Sequence, residues 1–213
     1  MGLLSLLRQD PVAFFILVPV LLYSIIAHEV AHGWVASLFG DNTAKNSGRL
    51  SFNPLPHIDP VGLAVLFLVG FGWAKPVPVN YRNLSHSRKA IIAVSLAGCG
   101  ANILIATLAI FLLQFEAFSS NTVFASVLER AAGINIILGA FNLIPIPPLD
   151  GSHVLMEFLP SKLKYKLASL QRFGLFIIIF LLYTGILRPV IDIIYYLILT
   201  FISLLLSLLG VLK

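Results

Sequence analysis

Long apolar stretches alternate with short polar ones along this chain. Three of them, residues 11–39, 90–115 and 189–212, reach the roughly 20 residues that cross the hydrocarbon core of a bilayer. Two shorter stretches, residues 131–147 and 173–187, also fit as spans. The pattern therefore predicts an α-helical polytopic membrane protein with about five full transmembrane helices.

Residues 61–73 form a further apolar stretch that is too short to cross a bilayer. Its length predicts a short re-entrant segment. Two flanking stretches have the pattern of strands: residues 48–54 alternate apolar and polar positions, and residues 75–81 carry prolines at alternate positions. Pro76 and Pro78 would block one edge of a sheet and leave the other edge free to pair. We therefore expect a small membrane-associated β-sheet.

Composition supports a membrane location. Of the 213 residues, 59% are hydrophobic and 11% are charged, and the mean hydropathy is +0.98, whereas soluble domains contain roughly 45–50% apolar residues. The single cysteine, Cys99, excludes an internal disulfide or a cysteine metal site. We predict one membrane-embedded domain over residues 1–213, with a core at 11–155 and an interfacial helix followed by two C-terminal spans at 156–213.

The basic residues gather on one face of this topology. Eleven of the 14 Lys and Arg residues fall on the side that carries the loop at 40–89, the loop at 148–172 and the C-terminus. Cytoplasmic loops are enriched in these residues, so we expect this face to be cytoplasmic and the N-terminus to lie outside. The net charge of +5 then reflects topology, and we expect membrane lipids and no nucleic acid as partners. The sequence leaves the oligomeric state open.

Three polar side chains interrupt the first span in the sequence HEVAH. Positions i and i+4 of a helix differ by about 40°, so His28 and His32 project side by side and can hold one metal ion. Glu29 lies about 100° from His28 and can reach a water on that ion from outside the ligand set. The motif also arises by chance in soluble helices, but ionisable groups inside a span are rare and functional by default. The sequence therefore predicts a zinc site with its own general base.

A catalytic zinc site needs a third protein ligand and an open position for water. Asp150 is the best candidate, because it ends a Pro-rich run on the face where HEVAH also ends. Taken alone, Asp150 would be interpreted as a turn residue. His153 and Asp59 remain alternatives. We interpret His57 and His86 as hydrogen-bonded loop or interface residues.

These motifs resemble the site-2 protease family of intramembrane zinc metalloproteases, most closely its short prokaryotic members without PDZ or CBS domains. The resemblance rests on HEVAH in the first span, GRLSFNPLPHIDPVG after it and FNLIPIPPLDG at the end of a later span, and it extends over about residues 20–155. It implies that His28, His32 and Asp150 bind one zinc ion. It also implies that Glu29 is the general base.

The same resemblance implies residues that handle substrate. Asn142 would steady the substrate or the developing oxyanion, and the backbone near Asn53 and Pro54 would hold the substrate as a strand. The chain departs from the family at AGCGAN, where Cys99 replaces the usual proline and Asn102 is retained. We expect this segment to pack against the active-site helices, so the change concerns local geometry and leaves the zinc ligands unaffected.

Together these features predict an endopeptidase that hydrolyses transmembrane protein substrates in or near the bilayer, in a prokaryotic inner membrane and with the site toward the cytoplasm. A metal transporter or metal-binding scaffold would use the same ligands. However, the late spans 173–187 and 189–212 carry mainly Ser, Thr and Tyr besides Asp192, which is a poor ion path. A membrane-surface binder would use the basic stretch 161–172, but that stretch is explained more simply as an interfacial helix.

Overall fold

The computed structural model describes residues 3–69, 72–84 and 87–211, and every regular element within these ranges is helical. The helices are α1 (Leu3–Gln9), α2 (Pro11–Leu38), α3 (Thr43–Asn46), α4 (Pro60–Val69), α5 (Tyr81–Leu84), α6 (Arg88–Leu112), α7 (Glu116–Ser119), α8 (Thr122–Asn142), α9 (Asp150–Met156), α10 (Ser161–Ser169), α11 (Gly174–Tyr183) and α12 (Arg188–Leu208). Short 3-10 turns occupy Leu55–His57 and Leu170–Phe173.

Five helical segments of the described chain are long and apolar enough to cross a membrane. They are α2, α6, α8, the run Ser161–Tyr183 that joins α10 to α11, and α12. These five apolar helices fit the predicted α-helical membrane protein. The fourth span includes residues that we assigned to an interfacial helix, because α11 alone has only 10 residues. The interfacial position of 161–172 stays a prediction.

Local sequence sets where the first and third spans begin. The Asp10 carboxylate accepts a hydrogen bond from the backbone N–H of Ala13 at 2.9 Å and so caps the N-terminus of α2. The Asn121 side chain caps α8 in the same way, by accepting from the two backbone N–H groups at 123 and 124. For this reason α8 begins nine residues before the predicted span at 131, and it ends at Asn142 before the Pro-rich run.

Helix α6 lies between α2 and α8 at the centre of the described fold. One face of α6 is buried and carries small or polar side chains four residues apart: Ala90, Val94, Gly98, Asn102 and Ala106. Small side chains let helix backbones approach closely. A second layer adds α12, through an apolar cluster of Ala106, Ile136, Ala140, Ile198, Ile202 and Leu206. The buried face of α6 is thus placed directly against the HEVAH turn of α2.

The predicted membrane-associated β-sheet is wrong, because the described residues contain no strand. In the proline-rich segment 75–80, the backbone N–H of Val77 donates to Glu29 Oε2 at 2.8 Å. The backbone N–H of Asn80 donates to Asp41 Oδ2 at 2.7 Å. Side-chain carboxylates therefore accept these two backbone donors in place of a neighbouring strand.

The other predicted strand, at 48–54, folds into turns. Gly48 has a φ of +65°, in the left-handed region that favours glycine. The Asn53 side-chain oxygen Oδ1 accepts from the backbone N–H of Leu55 at 3.1 Å, at the start of the 3-10 turn. His57 Nε2 closes the loop with a hydrogen bond to the backbone oxygen of Ser51 at 2.9 Å. Alternation of polar and apolar residues here reflects a compact loop.

The segment around α4 returns to the place where it starts. The backbone N–H of Lys75 donates to the His57 carbonyl at 2.8 Å, so both ends of the excursion meet. Between them, Phe67 of α4 lies with its ring 6.1 Å from that of Phe14, near the start of α2. This is the path that the re-entrant prediction requires; residues 70 and 71 of the predicted 61–73 stretch lie outside the described residues.

Candidate metal centre

The side chains of His28, His32 and Asp150 converge at one point. The two histidines are 6% and 8% exposed and project from successive turns of α2. Their Nε2 atoms lie 3.1 Å apart. Asp150 Oδ2 lies 3.1 Å from Nε2 of His28 and 3.2 Å from Nε2 of His32. We call these three residues the metal triad; they form a group that could hold one metal ion.

The metal triad fits zinc. Its three donor atoms form a nearly equilateral triangle with sides of 3.1 to 3.2 Å, and ligand atoms around a tetrahedral zinc ion lie about 3.3 Å apart. Two imidazole nitrogens and one carboxylate oxygen also leave a fourth position open, as catalytic zinc sites require. The triad is cradled by Gly98, where a Cβ atom would lie 2.5 Å from both Nε2 atoms.

The loop that precedes α9 is held in place by apolar burial on one side of Asp150. Leu149 and Ile144 belong to a buried cluster with Ile178 and Leu187. This packing ties the end of the Pro-rich run to α11. Asp150 Oδ2 faces both imidazole rings at 3.1 and 3.2 Å, and a carboxylate oxygen is one of the ligands that zinc accepts. The loop packing thus places the Asp150 carboxylate beside the two histidine nitrogens.

Glu29 is half-buried beside the triad and is held by the segment that follows the re-entrant excursion. Its Oε2 atom accepts the backbone N–H of Val77 at 2.8 Å. The approach of this segment to α2 depends on Gly33, where a Cβ atom would lie 2.8 Å from Val77 Cγ1. The residue that the sequence predicts as general base therefore has one oxygen fixed by the backbone, which orients its carboxylate.

The second ring nitrogen of each histidine also has a partner, and both partners lie on α6. His28 Nδ1 lies 2.6 Å from Asn102 Oδ1, and His32 Nδ1 lies 2.7 Å from the Val94 carbonyl oxygen. Both oxygens accept, so each Nδ1 carries the proton and each Nε2 keeps a lone pair for the metal. The surroundings thus select the tautomers that a metal site needs.

Comparison with known proteins agrees with this geometry. The sequence profile of peptidase family M50 matches residues 116–184. YwhC of Bacillus subtilis, described as a candidate zinc metalloprotease, is 38% identical over 175 residues, which cover 79% of this chain and 80% of YwhC. Rip2 of Mycolicibacterium smegmatis, described in the same way, is 31% identical over 177 residues, or 80% of this chain and 68% of Rip2. The chain belongs to peptidase family M50. No solved structure matched it.

Membership confirms several predictions together. M50 is the site-2 protease family, and the relatives are named as zinc metalloproteases. The chain is therefore a zinc metallopeptidase, with zinc as its cofactor, as the HEVAH motif and Asp150 predicted. The five apolar spans make this M50 peptidase an integral membrane protein.

Within the described residues, no hydrogen bond links the residues predicted to handle substrate to the metal triad. Asn142 ends α8, where its side-chain amide donates to the Leu138 carbonyl at 3.0 Å. Asn53 is exposed and caps a turn, and Pro54 is half-buried beside it. Their roles in the M50 peptidase stay predictions.

The alternative ligands lie outside the triad. The His153 ring stacks on Tyr81, with centroids 4.9 Å apart and planes at 5°. Asp59 Oδ1 accepts two backbone N–H groups at the start of α4, both at 2.9 Å. His57 is buried and bonded within its loop, which agrees with the role that we favoured. His86 lies outside the described residues.

Sequence reasoning missed several residues around the ligands. No sequence pattern assigned a role to Gly98 of AGCGAN. The contacts of Asn102, Asn135 and Ser24 were not predicted either. Polar side chains in apolar spans were the available signal, and the four-residue spacing of Ser24, His28 and His32 on α2 could have pointed to the row. Cys99 is buried, and its Sγ lies 3.9 Å from Asp150 Oδ2, so this segment contacts a residue of the metal triad.

Proposed function

We propose that this M50 peptidase is an endopeptidase that hydrolyses peptide bonds of transmembrane protein substrates, with the metal triad as its zinc ligands and Glu29 as its general base. The observation that carries the proposal is the convergence of three donor atoms within 3.1 to 3.2 Å of one another. Two of these ligands lie on a membrane-spanning helix, and the third lies more than 100 positions later in the chain.

Membrane depth supports a substrate within or near the bilayer. His32 precedes the end of α2 by six residues, which corresponds to about 9 Å along the helix. The triad is therefore placed within the length of a span and nearer to its C-terminal end. The loops at that end hold most of the basic residues, which supports a site toward the cytoplasmic face. The inner membrane of a prokaryotic cell is the location that we propose.

The chemistry divides between the cofactor and the protein. Zinc, when bound, supplies Lewis acidity and makes hydroxide available near neutral pH. Glu29 accepts the proton of the attacking water and delivers it to the leaving amine. The hydrogen bond from Val77 occupies Oε2, which leaves Oε1 for proton transfer. His28 and His32 each donate the Nδ1 proton to an oxygen on α6, which directs both Nε2 atoms toward the metal position.

Substrate helices hide their carbonyl groups in intrahelical hydrogen bonds, so a segment must unwind before attack. We propose that Asn142 steadies the exposed carbonyl and that the backbone near Asn53 and Pro54 pairs with the unwound segment.

The test compares purified wild-type protein with Glu29→Gln on a model single-pass membrane substrate, with zinc content measured on the same samples. We expect cleavage by the wild type and a loss of about a thousandfold or more in the variant, with one zinc per chain in both. A metal-binding scaffold would tolerate the substitution. Cleavage by Glu29→Gln at the wild-type rate would contradict the proposed mechanism.

A further inference from the structure

A row of buried polar side chains extends from His28 on the side away from the metal triad and crosses three spans. Ser24 lies one turn before His28 on α2, Asn102 lies on α6 and Asn135 lies on α8. Ser24 is 4% exposed and both asparagines are 0% exposed. Polar groups buried at this depth are costly unless they are bonded. The row therefore calls for a specific explanation.

Asn135 determines which side chains of this row donate hydrogen bonds and which accept them. Its side-chain nitrogen lies 2.8 Å from the backbone oxygen of Ala131 and 2.8 Å from the Ser24 hydroxyl. A backbone carbonyl can only accept a hydrogen bond, so the NH₂ group of Asn135 must face Ala131. Its Oδ1 atom must then face Asn102, whose side-chain nitrogen donates to it at 2.7 Å.

The same logic fixes Asn102 and then His28. The NH₂ group of Asn102 faces Asn135 and also lies 3.4 Å from the Ser24 backbone oxygen. Its Oδ1 atom is therefore the atom that faces His28 Nδ1, at 2.6 Å. If the amide were rotated by 180°, its NH₂ group would face Nδ1 and favour the tautomer with the proton on Nε2. That tautomer has no lone pair on Nε2 with which to bind a metal.

We propose that Asn135 is a positioning residue for the metal centre: it sets the orientation of the Asn102 amide and thereby the tautomer of His28. The proposal rests on the proposed role of His28 as a ligand. His32 needs no such positioning residue. Its Nδ1 donates directly to the Val94 backbone carbonyl, which can only accept a hydrogen bond. The side-chain row exists where the acceptor is an amide that could face either way.

The first test replaces Asn135 with Leu, which removes both the donor to Ala131 and the acceptor for Asn102. Zinc dissociation is followed with a competing chelator, in the absence of substrate. We expect dissociation roughly tenfold to a hundredfold faster than in the wild type, as is typical when a partner of a metal-binding histidine is lost. The control is Thr107→Val on α6, since that hydroxyl donates to the Ile103 carbonyl of its own helix at 2.7 Å. The control should release zinc at the wild-type rate.

A spectroscopic measurement separates the tautomer from general destabilisation. In zinc-free protein, the ring-nitrogen NMR signals of the wild type should show protonated Nδ1 at both His28 and His32. In Asn135→Leu, the His28 signals should shift toward a mixture of tautomers, while those of His32 stay unchanged. A structural defect alone would affect both rings.

The decisive experiment repeats Asn135→Leu in an Asn102→Asp background. A carboxylate accepts from Nδ1 whichever way it faces, so orientation by Asn135 is no longer needed. We expect the second substitution to change zinc dissociation by less than about threefold there, against roughly tenfold or more in the parent. If Asn135→Leu reduces the yield of folded protein, Ser24→Ala carries the same cycle with a smaller effect.

An equal loss of zinc affinity in both backgrounds, or none in either, would overturn the positioning role of Asn135. These outcomes differ from a failure of the proposed function, which would appear as a wild-type protein that binds no zinc or cleaves no substrate. The Asn135 cycle is scored on metal release and on the His28 ring alone.

Discussion

The backbone N–H of Val77 donates a hydrogen bond to Oε2 of Glu29 at 2.8 Å. This N–H lies between Pro76 and Pro78, which have none, so the segment presents a single donor at the level of the carboxylate. Arg49 steadies the same segment through a hydrogen bond from its guanidinium to the Lys75 carbonyl at 2.7 Å. The proposed general base is thus oriented by backbone from outside its own helix.

Replacing Val77 with Pro removes this donor and should slow hydrolysis without removing zinc. We expect kcat to fall by roughly tenfold or more, because the Glu29 carboxylate loses the contact that fixes its direction. The control is Val77→Ala, which keeps the N–H and should retain most of the activity. Steady-state kinetics with zinc analysis distinguishes the two, and a Val77→Pro enzyme with full activity would show that the contact is dispensable.

Gly98→Ala should weaken metal binding. The added Cβ would lie 2.5 Å from Nε2 of both His28 and His32. This is well inside the van der Waals contact distance of carbon and nitrogen, so the two rings must move. We expect at least a roughly tenfold loss of zinc affinity. Gly100→Ala, two residues further along the same helix, is the matched control, since a Cβ there meets nothing within 4 Å. Normal zinc retention by Gly98→Ala would mean that the triad is more open than the structure shows.

Asp41 should make the protein sensitive to acid. Burial opposes ionisation of its carboxyl, but hydrogen bonds from Thr43, Asn80 and Asn83 outweigh it and lower the pKa below the usual value. A lowered folded-state pKa contributes stability above the unfolded value of about 3.9, and that stability is lost as pH falls through the folded pKa.

The measurement for Asp41 is thermal unfolding in detergent between neutral pH and pH 3. At neutral pH, Asp41→Asn should lower Tm by about 3 °C or more, and the difference from the wild type should shrink below about pH 4. A constant difference across this range would show that the charge of Asp41 does not matter.

The stack of Tyr81 on His153 should support the position of Asp150, which lies one turn before His153 on α9. Burial raises the pKa of Tyr81 to about 12, so its phenol stays neutral at working pH. Tyr81→Phe should therefore keep the zinc affinity and the pH profile, whereas Tyr81→Ala should weaken zinc binding severalfold. Chelator competition on both variants checks this. Equal zinc affinities for the two would show that the stack does not support the position of Asp150.

The spans and the ligands were predictable because each follows from a short pattern. Apolar length alone predicts five spans, and the spacing of His28 and His32 places both rings on one face. The absence of the sheet was not predictable. In the sequence, an extended segment with free N–H donors has the same pattern whether a strand or a carboxylate such as Glu29 accepts those donors. The row that ends at Asn135 was also hidden, since its members come from three spans whose packing no local pattern specifies.

The central claim is that Asp150 completes a zinc site with His28 and His32, and the most direct test is the zinc content of two variants after dialysis. Wild-type protein should retain one zinc per chain. Asp150→Asn should lose it, because a neutral amide replaces the charged ligand, whereas His153→Asn should retain it, because His153 stacks on Tyr81 outside the triad. Full zinc in Asp150→Asn together with its loss in His153→Asn would contradict the account.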